Sequence, residues 1–134
     1  VVELLLQRGA EINLQSSTGT ALMCAAGQGH ERVVDVLLLQ RGAGINVQNC
    51  NGNTALMLAA STGHERAVEL LLLHGVEVDL KDGNGGSALM LAAQKGQEGV
   101  VELLLRRGAE IDLQDSDGDT ALMYAAIKGH ERVV

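Results

Sequence analysis

No proline, phenylalanine or tryptophan occurs in the chain, and Tyr124 is its single aromatic residue. With 46% of residues hydrophobic, the core has to be made of Leu, Val, Ile, Met and Ala, which suits thin, closely packed helical layers. Positive charge is scarce too: ten Lys and Arg against seventeen Asp and Glu leave a formal charge of −7. Affinity for a phosphate backbone comes from Lys and Arg, so nucleic acid is not expected as a partner. The two cysteines, Cys24 and Cys50, have no paired spacing, and no charged-then-apolar leader opens the chain. Both features fit a reducing setting, with an intracellular, cytoplasmic location expected. Runs such as Leu70–Leu73 are far too short to span a bilayer, so no membrane insertion is expected.

What the chain does have is a repeating block. Thr-Ala-Leu-Met, one variable residue, Ala-Ala, two variable residues and Gly lead into a leucine-rich run that ends in Gly. The block starts at Thr20, Thr54, Ser87 and Thr120. The residue closing each unit, Gln15, Gln48, Lys81 or Gln114, returns every 33 positions, a period that signals a stacked repeat rather than a single-core globule. The chain is expected to be a single repeat domain, residues 1–134. Residues 16–48, 49–81 and 82–114 read as complete units, 1–15 as the C-terminal half of a unit, and 115–134 as the N-terminal part of another. Because it opens and closes inside helical runs, the chain is expected to be part of a longer array, with layers at both ends that lack an outer neighbour.

Within a unit, Leu89, Ala92, Ala93 and Gly96 fall at i, i+3, i+4 and i+7, one face of a first helix. Ser87, or a Thr in the other units, precedes it as a hydroxyl N-cap. Gly96 stops it, as Gly29, Gly63 and Gly129 do elsewhere, by taking the left-handed conformation cheaply. A second helix is expected over 98–107, with Val101, Leu104 and Leu105 on its apolar face and charges that complement the helix dipole: Glu98 in the first turn, Arg106 and Arg107 in the last. Gly108 closes it, and a short extended stretch, 109–114, leads to a turn at Gly118.

These residues resemble the ankyrin repeat over essentially the whole chain. The D-x-x-G-x-T opening of that family is matched by Asp82-Gly83-Asn84-Gly85-Gly86-Ser87 and Asp115-Ser116-Asp117-Gly118-Asp119-Thr120, and its A-A-x-x-G-H by Ala59-Ala60-Ser61-Thr62-Gly63-His64. The resemblance implies an all-α solenoid of stacked helix-turn-helix units joined by β-turn or hairpin loops. Two departures stand out. Ala21, Ala55, Ala88 and Ala121 replace a helix-starting proline, and Met23, Met57, Met90 and Met123 replace a hydrogen-bonding histidine. The first complete unit is also one residue short between Gly19 and Thr20 and one residue long between Val33 and Arg41, so a bulged or overrun second helix is expected there.

Signals of chemistry are explained by the scaffold. Gly83-Asn84-Gly85-Gly86 lacks the Lys-Ser/Thr of a P-loop. His30, His64 and His130 each precede a Glu, but Val34, Val68 and Val134 stand where a zinc-protease helix needs its second His. Equivalent residues of adjacent layers lie about 8–10 Å apart, too far to share a metal ion. These histidines are read as helping the turn between the two helices. The run Asp115-Ser116-Asp117-Gly118-Asp119 suggests a calcium loop, but Leu113 and Tyr124 occupy the places of its first acidic ligand and its bidentate Glu. It reads as a solvated acidic turn. Cys24 occupies the place of Leu58, Leu91 and Tyr124 and is expected to be packed, whereas Cys50 is expected to be an exposed thiol in a turn. No nucleophilic constellation is present, so no catalytic residue, metal site or cofactor is expected.

Residues that vary among units carry the functional expectation. At the turn tips they are Ser17, Thr18, Cys50, Asn51, Asn53, Asn84, Ser116, Asp117 and Asp119; at the ends of the first helices they are Gln28, Ser61, Thr62, Gln94, Lys95, Ile127 and Lys128. The resemblance implies that such positions line one concave groove of a non-catalytic protein-binding module. The competing reading is a regulatory or substrate-presenting arm of a larger enzyme or channel. Glu110, Asp112, Asp115, Asp117 and Asp119 come without a basic residue between Gly108 and Ile127, so a protein partner with a basic patch facing the C-terminal turns is expected.

Overall fold

The computed structural model describes residues 1–133, so Val134, expected in the last layer, lies outside the described residues. Among the described residues eight α-helices follow one another: α1 (Val2–Gln7), α2 (Ala21–Gln28), α3 (Glu31–Leu38), α4 (Ala55–Thr62), α5 (Glu65–Leu73), α6 (Ala88–Gln94), α7 (Glu98–Arg106) and α8 (Ala121–Lys128), with a 3₁₀ turn over Glu131–Val133. No strand occurs among the described residues; a lone bridge joins Ser16 and Gly19. Helices α2, α4, α6 and α8 stack in one row and α1, α3, α5 and α7 in a second, each first helix packing on the second helix that follows it. The chain is an all-α solenoid.

Local chemistry sets the start and stop of each first helix. The hydroxyls of Thr20, Thr54, Ser87 and Thr120 accept hydrogen bonds from the backbone N–H of Met23, Met57, Met90 and Met123, at 3.2–3.3 Å. Burying such a hydroxyl requires a partner, and the helix end provides one. Twelve glycines have positive φ, and they are the recurrent closers and turn residues. Of the run Gly83-Asn84-Gly85-Gly86, Gly85 is among them and Gly83 and Gly86 are not.

The first helices are buried more widely than one apolar face predicts. Ala88, Leu89, Met90, Ala92 and Ala93 of α6 are all buried, because a layer lies on each side and a second helix beneath. Met23, Met57 and Met90, which stand where the family carries a histidine, are core residues. Unbranched and polarizable, methionine fills such a space without a polar atom to satisfy.

The face expected for α7 needs correction. Val100 and Leu104 are buried, Val101 is half-buried and Leu105 is 38% exposed. Its counterpart one period earlier, Leu72, is only 7% exposed. The difference is the neighbour: Leu72 has α7 beyond it, whereas among the described residues Leu105 has only the 3₁₀ turn.

The irregular unit also folds differently from expectation. Its second helix, α3, is neither bulged nor overrun, and at eight residues it is one shorter than α5 and α7. Val34, Leu37 and exposed Leu39 hold the places of Val68, Leu71 and exposed Leu73, so the extra residue falls after Leu39, in the link to Gly42. There Gln40 Nε2 donates to the Val36 carbonyl at 3.1 Å, supplying a partner at the helix end. The missing residue shortens the preceding turn. Ser16 and Gly19 exchange backbone bonds of 3.0 and 3.2 Å, where the other units close from Asn49 to Asn53, Asp82 to Gly86 and Asp115 to Asp119.

Layers are also joined by side-chain bonds that sequence reading missed. Asn13 Oδ1, Asn46 Oδ1 and Asp79 Oδ1 accept from the backbone N–H of Gly44, Glu77 and Glu110, each 31 residues on, at 2.7, 2.9 and 3.0 Å. Gln48 Nε2 donates to the Lys81 carbonyl and Lys81 Nζ to the Gln114 carbonyl, one period along. The recurrence of Asn or Asp at 13, 46, 79 and 112 was the available signal. No buried side-chain N or O atom among the described residues lacks a partner.

Two predictions follow from this packing. Ala21, Ala55 and Ala88 each open a helix, a position where the N–H has no intrahelical acceptor and helical backbone generally suits proline. Ala55 and Ala88 are buried, but Ala21 is exposed and leaves room for the ring. Ala21→Pro should therefore add about 0.4–1 kcal/mol by restricting the unfolded chain, with less gain at the two packed sites. A lowered urea midpoint for Ala21→Pro would refute this placement. Secondly, α1 contains no buried residue, whereas α5 buries Ala67, Val68, Leu70, Leu71 and Leu72. In this 134-residue chain, amide exchange should be fast over residues 1–10 and slow over 65–75. Equal protection of the two segments would show that α1 is held by something other than burial.

Candidate partner-binding groove

Each turn is built around its first side chain. Asn49 Oδ1 accepts from the N–H of Asn51 and Asn53, Asp82 Oδ1 from Asn84 and Gly86, and Asp115 Oδ1 from Asp117 and Asp119, at 2.8–3.0 Å. In the shortened turn Ser16 Oγ accepts from Thr18 N–H instead. Adjacent turns are then linked through backbone: Gly83 N–H donates to the Asn51 carbonyl and Ser116 N–H to the Asn84 carbonyl, both at 3.0 Å. At the shortened turn the Cys50 thiol donates to the Ser17 carbonyl at 3.6 Å. Turn tips are thus tied along the solenoid, with the side chains of Asn51, Asn84, Ser116 and Asp117 left exposed.

Of the expected tip residues, Ser17, Thr18, Cys50, Asn51, Asn84, Ser116 and Asp117 are exposed, and Asn53 and Asp119 half-buried. At the first-helix ends Gln28, Thr62, Lys95, Ile127 and Lys128 are exposed, and Ser61 and Gln94 half-buried. None is buried in the core. The helix ends are also anchored: Gln97 Nε2 donates to the Ser61 carbonyl at 3.3 Å, and His130 Nε2 lies 2.9 Å from the Gln94 carbonyl.

That last contact corrects the reading of the histidines. His30 and His64 precede α3 and α5 without a side-chain cap bond. His130 reaches back to the preceding layer rather than bracing its own turn, and the His64 ring lies over Gly29, where a Cβ would come within 2.5 Å of Nδ1. Gly29 therefore serves twice, with φ of 74° and room for the neighbouring ring. Histidine and Gln97 act between layers.

Cys24 also departs from expectation. It is exposed, with Sγ 3.8 Å from Thr18 Oγ1, whereas Leu58, Leu91 and Tyr124 in the same register are half-buried. Leu58 lies against Gly27 of the preceding first helix, whereas α2, the first of that row among the described residues, gives Cys24 no such surface. Cys50 is exposed, as the sequence suggests.

At the C-terminal end the carboxylates of Asp115, Asp117 and Asp119 approach within 4.8 Å of one another. The Tyr124 hydroxyl donates to Asp115 Oδ2. This bond, together with the turn N–H groups, holds the Asp115 carboxyl below its usual range, and the same bond pushes Tyr124 up to about 12. A carboxylate favoured in this way helps the folded state above the unfolded pKa and loses that help as acid protonates it. The turn is therefore negatively charged at neutral pH.

A family model described as ankyrin repeats (3 copies) matches residues 1–82 and 71–134, and the chain belongs to the ankyrin repeat family. Ankyrin repeats are generally protein–protein interaction modules, and their fold is typically non-catalytic. No curated protein is found to match the sequence. Among the described residues no helix is long and apolar enough to cross a membrane.

Proposed function

We propose that this chain is a non-catalytic module that binds a protein partner along the groove formed by its turn tips and first-helix ends. The observation that carries this reading is the backbone linkage of successive tips, Asn51 to Gly83 and Asn84 to Ser116, beneath exposed and variable side chains. A surface already ordered in the free protein loses little conformational entropy on binding. The reading keeps residues 16–48, 49–81 and 82–114 as the full repeats, with partial ones at 1–15 and 115–134.

The partner is expected to bring Lys or Arg to the turn at Asp117 and Asp119, where acidic side chains stand without a basic neighbour in sequence. Exposed pairs contribute only about 0.2–1 kcal/mol each, so the cluster acts chiefly on association rate and orientation. A partner captured on the immobilised chain, against a groove-mutated control, supplies the reagent. Asp117→Asn with Asp119→Asn should slow association at low salt and change little at high salt. Asn51→Ala with Asn53→Ala should mainly speed dissociation. An unchanged low-salt association rate after both aspartates are neutralised would reduce the acidic turn to a solvated face.

A further inference from the structure

Two turn tips carry an asparagine followed by a glycine that the next layer's backbone holds in place. Six asparagines occur in the chain, and only Asn51 and Asn84 precede a glycine. Glycine leaves the backbone nitrogen of residue n+1 unhindered by a side chain, which favours its attack on the asparagine amide. Both residues are exposed, and among the described residues neither side chain makes a hydrogen bond. Asn13, Asn46 and Asn49 differ: each side-chain oxygen accepts from backbone N–H and is held in place.

The glycines are not free to change. Gly52 and Gly85 have φ of 79° and 78°, and a Cβ would lie 2.6 Å from Gly83 N at the first and 2.7 Å from Ser116 N at the second. The next layer's backbone crosses where a side chain would stand. The last turn shows what an aspartate does in the same place: Asp117 precedes Gly118, whose φ is 84°, and its N–H donates to Asp115 Oδ1 at 2.9 Å. The corresponding bonds of Asn51 and Asn84 are 3.0 and 2.9 Å, so the turn accepts a carboxylate without rearrangement.

We propose that Asn51 and Asn84 are non-enzymatic modification sites in the folded chain, converted through a cyclic imide to aspartate or isoaspartate. The nitrogen of Gly52 or Gly85 attacks the side-chain Cγ and forms a C–N bond. The amide C–N bond breaks, and the side-chain nitrogen leaves as ammonia with the proton lost by the glycine nitrogen. Water then opens the imide. Cleavage at Cγ yields aspartate, and cleavage at the main-chain carbonyl yields isoaspartate, in which the chain runs through Cγ. The glycine N–H groups are bonded to the Asn49 and Asp82 carbonyls at 2.9 and 3.0 Å, so each turn has to open before attack. Conversion is therefore slower in the folded chain than in the unfolded one.

Two conversions add two negative charges to a chain of formal charge −7 and carry the acidity of the last turn into the neutral middle of the groove. That consequence for binding rests on the groove reading; the chemistry does not. Isoaspartate at residue 51 also displaces the carbonyl that accepts from Gly83 N–H, so it loosens the link between layers, whereas aspartate leaves it intact.

The test needs no partner. The full chain is held at mildly alkaline pH and 37 °C, folded or in urea, and followed by anion exchange and peptide mass mapping, beside Asn51→Gln with Asn84→Gln. The expected result is two successive acidic steps that map to residues 51 and 84, slower when folded and absent from the double variant. The proposal is overturned if the first acidic step maps to Asn13, Asn46, Asn49 or Asn53. It is equally overturned if the folded chain stays unmodified over many half-lives of the urea-unfolded chain's conversion.

Discussion

Leu71→Ala should lower stability by about 2–5 kcal/mol, while Leu73→Ala, two residues along the same helix, should stay within about 0.5 kcal/mol. Leu71 is completely buried and Leu73 is 61% exposed. The cost at Leu71 combines lost transfer energy with a cavity that the surrounding helices cannot close, because α5 packs against α3, α4 and α7 at once. Position in the array adds to the effect. In a solenoid each layer is stabilised by its neighbours, so a cavity in the central layer weakens two interfaces and should broaden the denaturation transition as well as shift it. Leu104→Ala, at an equally buried site in α7, should fall in the same range. Urea denaturation followed by circular dichroism measures these differences, and equal midpoints for the Leu71 and Leu73 variants would show that Leu71 does not face the interlayer core.

Gly52→Ala should cost more than Gly75→Ala, although both glycines have φ of 79°. Backbone strain at positive φ is common to the two and amounts to about 1–3 kcal/mol. Nothing lies within 4 Å of a Cβ at Gly75, so strain is the whole cost there. At Gly52 the added Cβ meets Gly83 N at 2.6 Å and the Asp82 carbonyl carbon at 2.9 Å, both backbone atoms that cannot swing aside. The adjacent turn has to move, and the Gly83 N–H to Asn51 carbonyl bond is lost, a further cost of about 0.5–1.5 kcal/mol. Thermal or urea denaturation of the two variants reads the difference directly. Equal costs would mean that the turn tips are not firmly stacked, which would also remove the rigid base that the groove reading needs.

Much of the scaffold was legible in the order of residues. The hydroxyl caps at Thr20, Thr54 and Ser87 and the glycines that close each helix act within a turn of chain, and their partners are a few residues away. Local chemistry of this kind leaves a direct trace in sequence. The misreadings share one cause. Cys24, Leu105 and His130 depart from expectation because their environment is set by an adjacent turn or layer. The period alone does not say where a unit absorbs an insertion, so the place of the extra residue after Leu39 is decided only by the fold.

For the groove, the sequence supplied the positions, since variation at the tips and helix ends stands out against a constant block. It did not supply the bonds beneath them. Gly83 to Asn51 and Ser116 to Asn84 join backbone atoms, which carry no residue-specific signal.

The order of residues by itself determined the repeat, the succession of helices, the places where each begins and stops, and the acidity of the last turn. Tertiary structure alone decided which of several identical residues are inside. Leu56 and Leu122 open the same motif, yet the first is 1% exposed and the second 54%. Leu56 lies between two layers and Leu122 has one. Helix ends depend on contacts within a single turn of chain, whereas burial in a stack depends on the presence of a second surface, and that surface comes from residues a full period away.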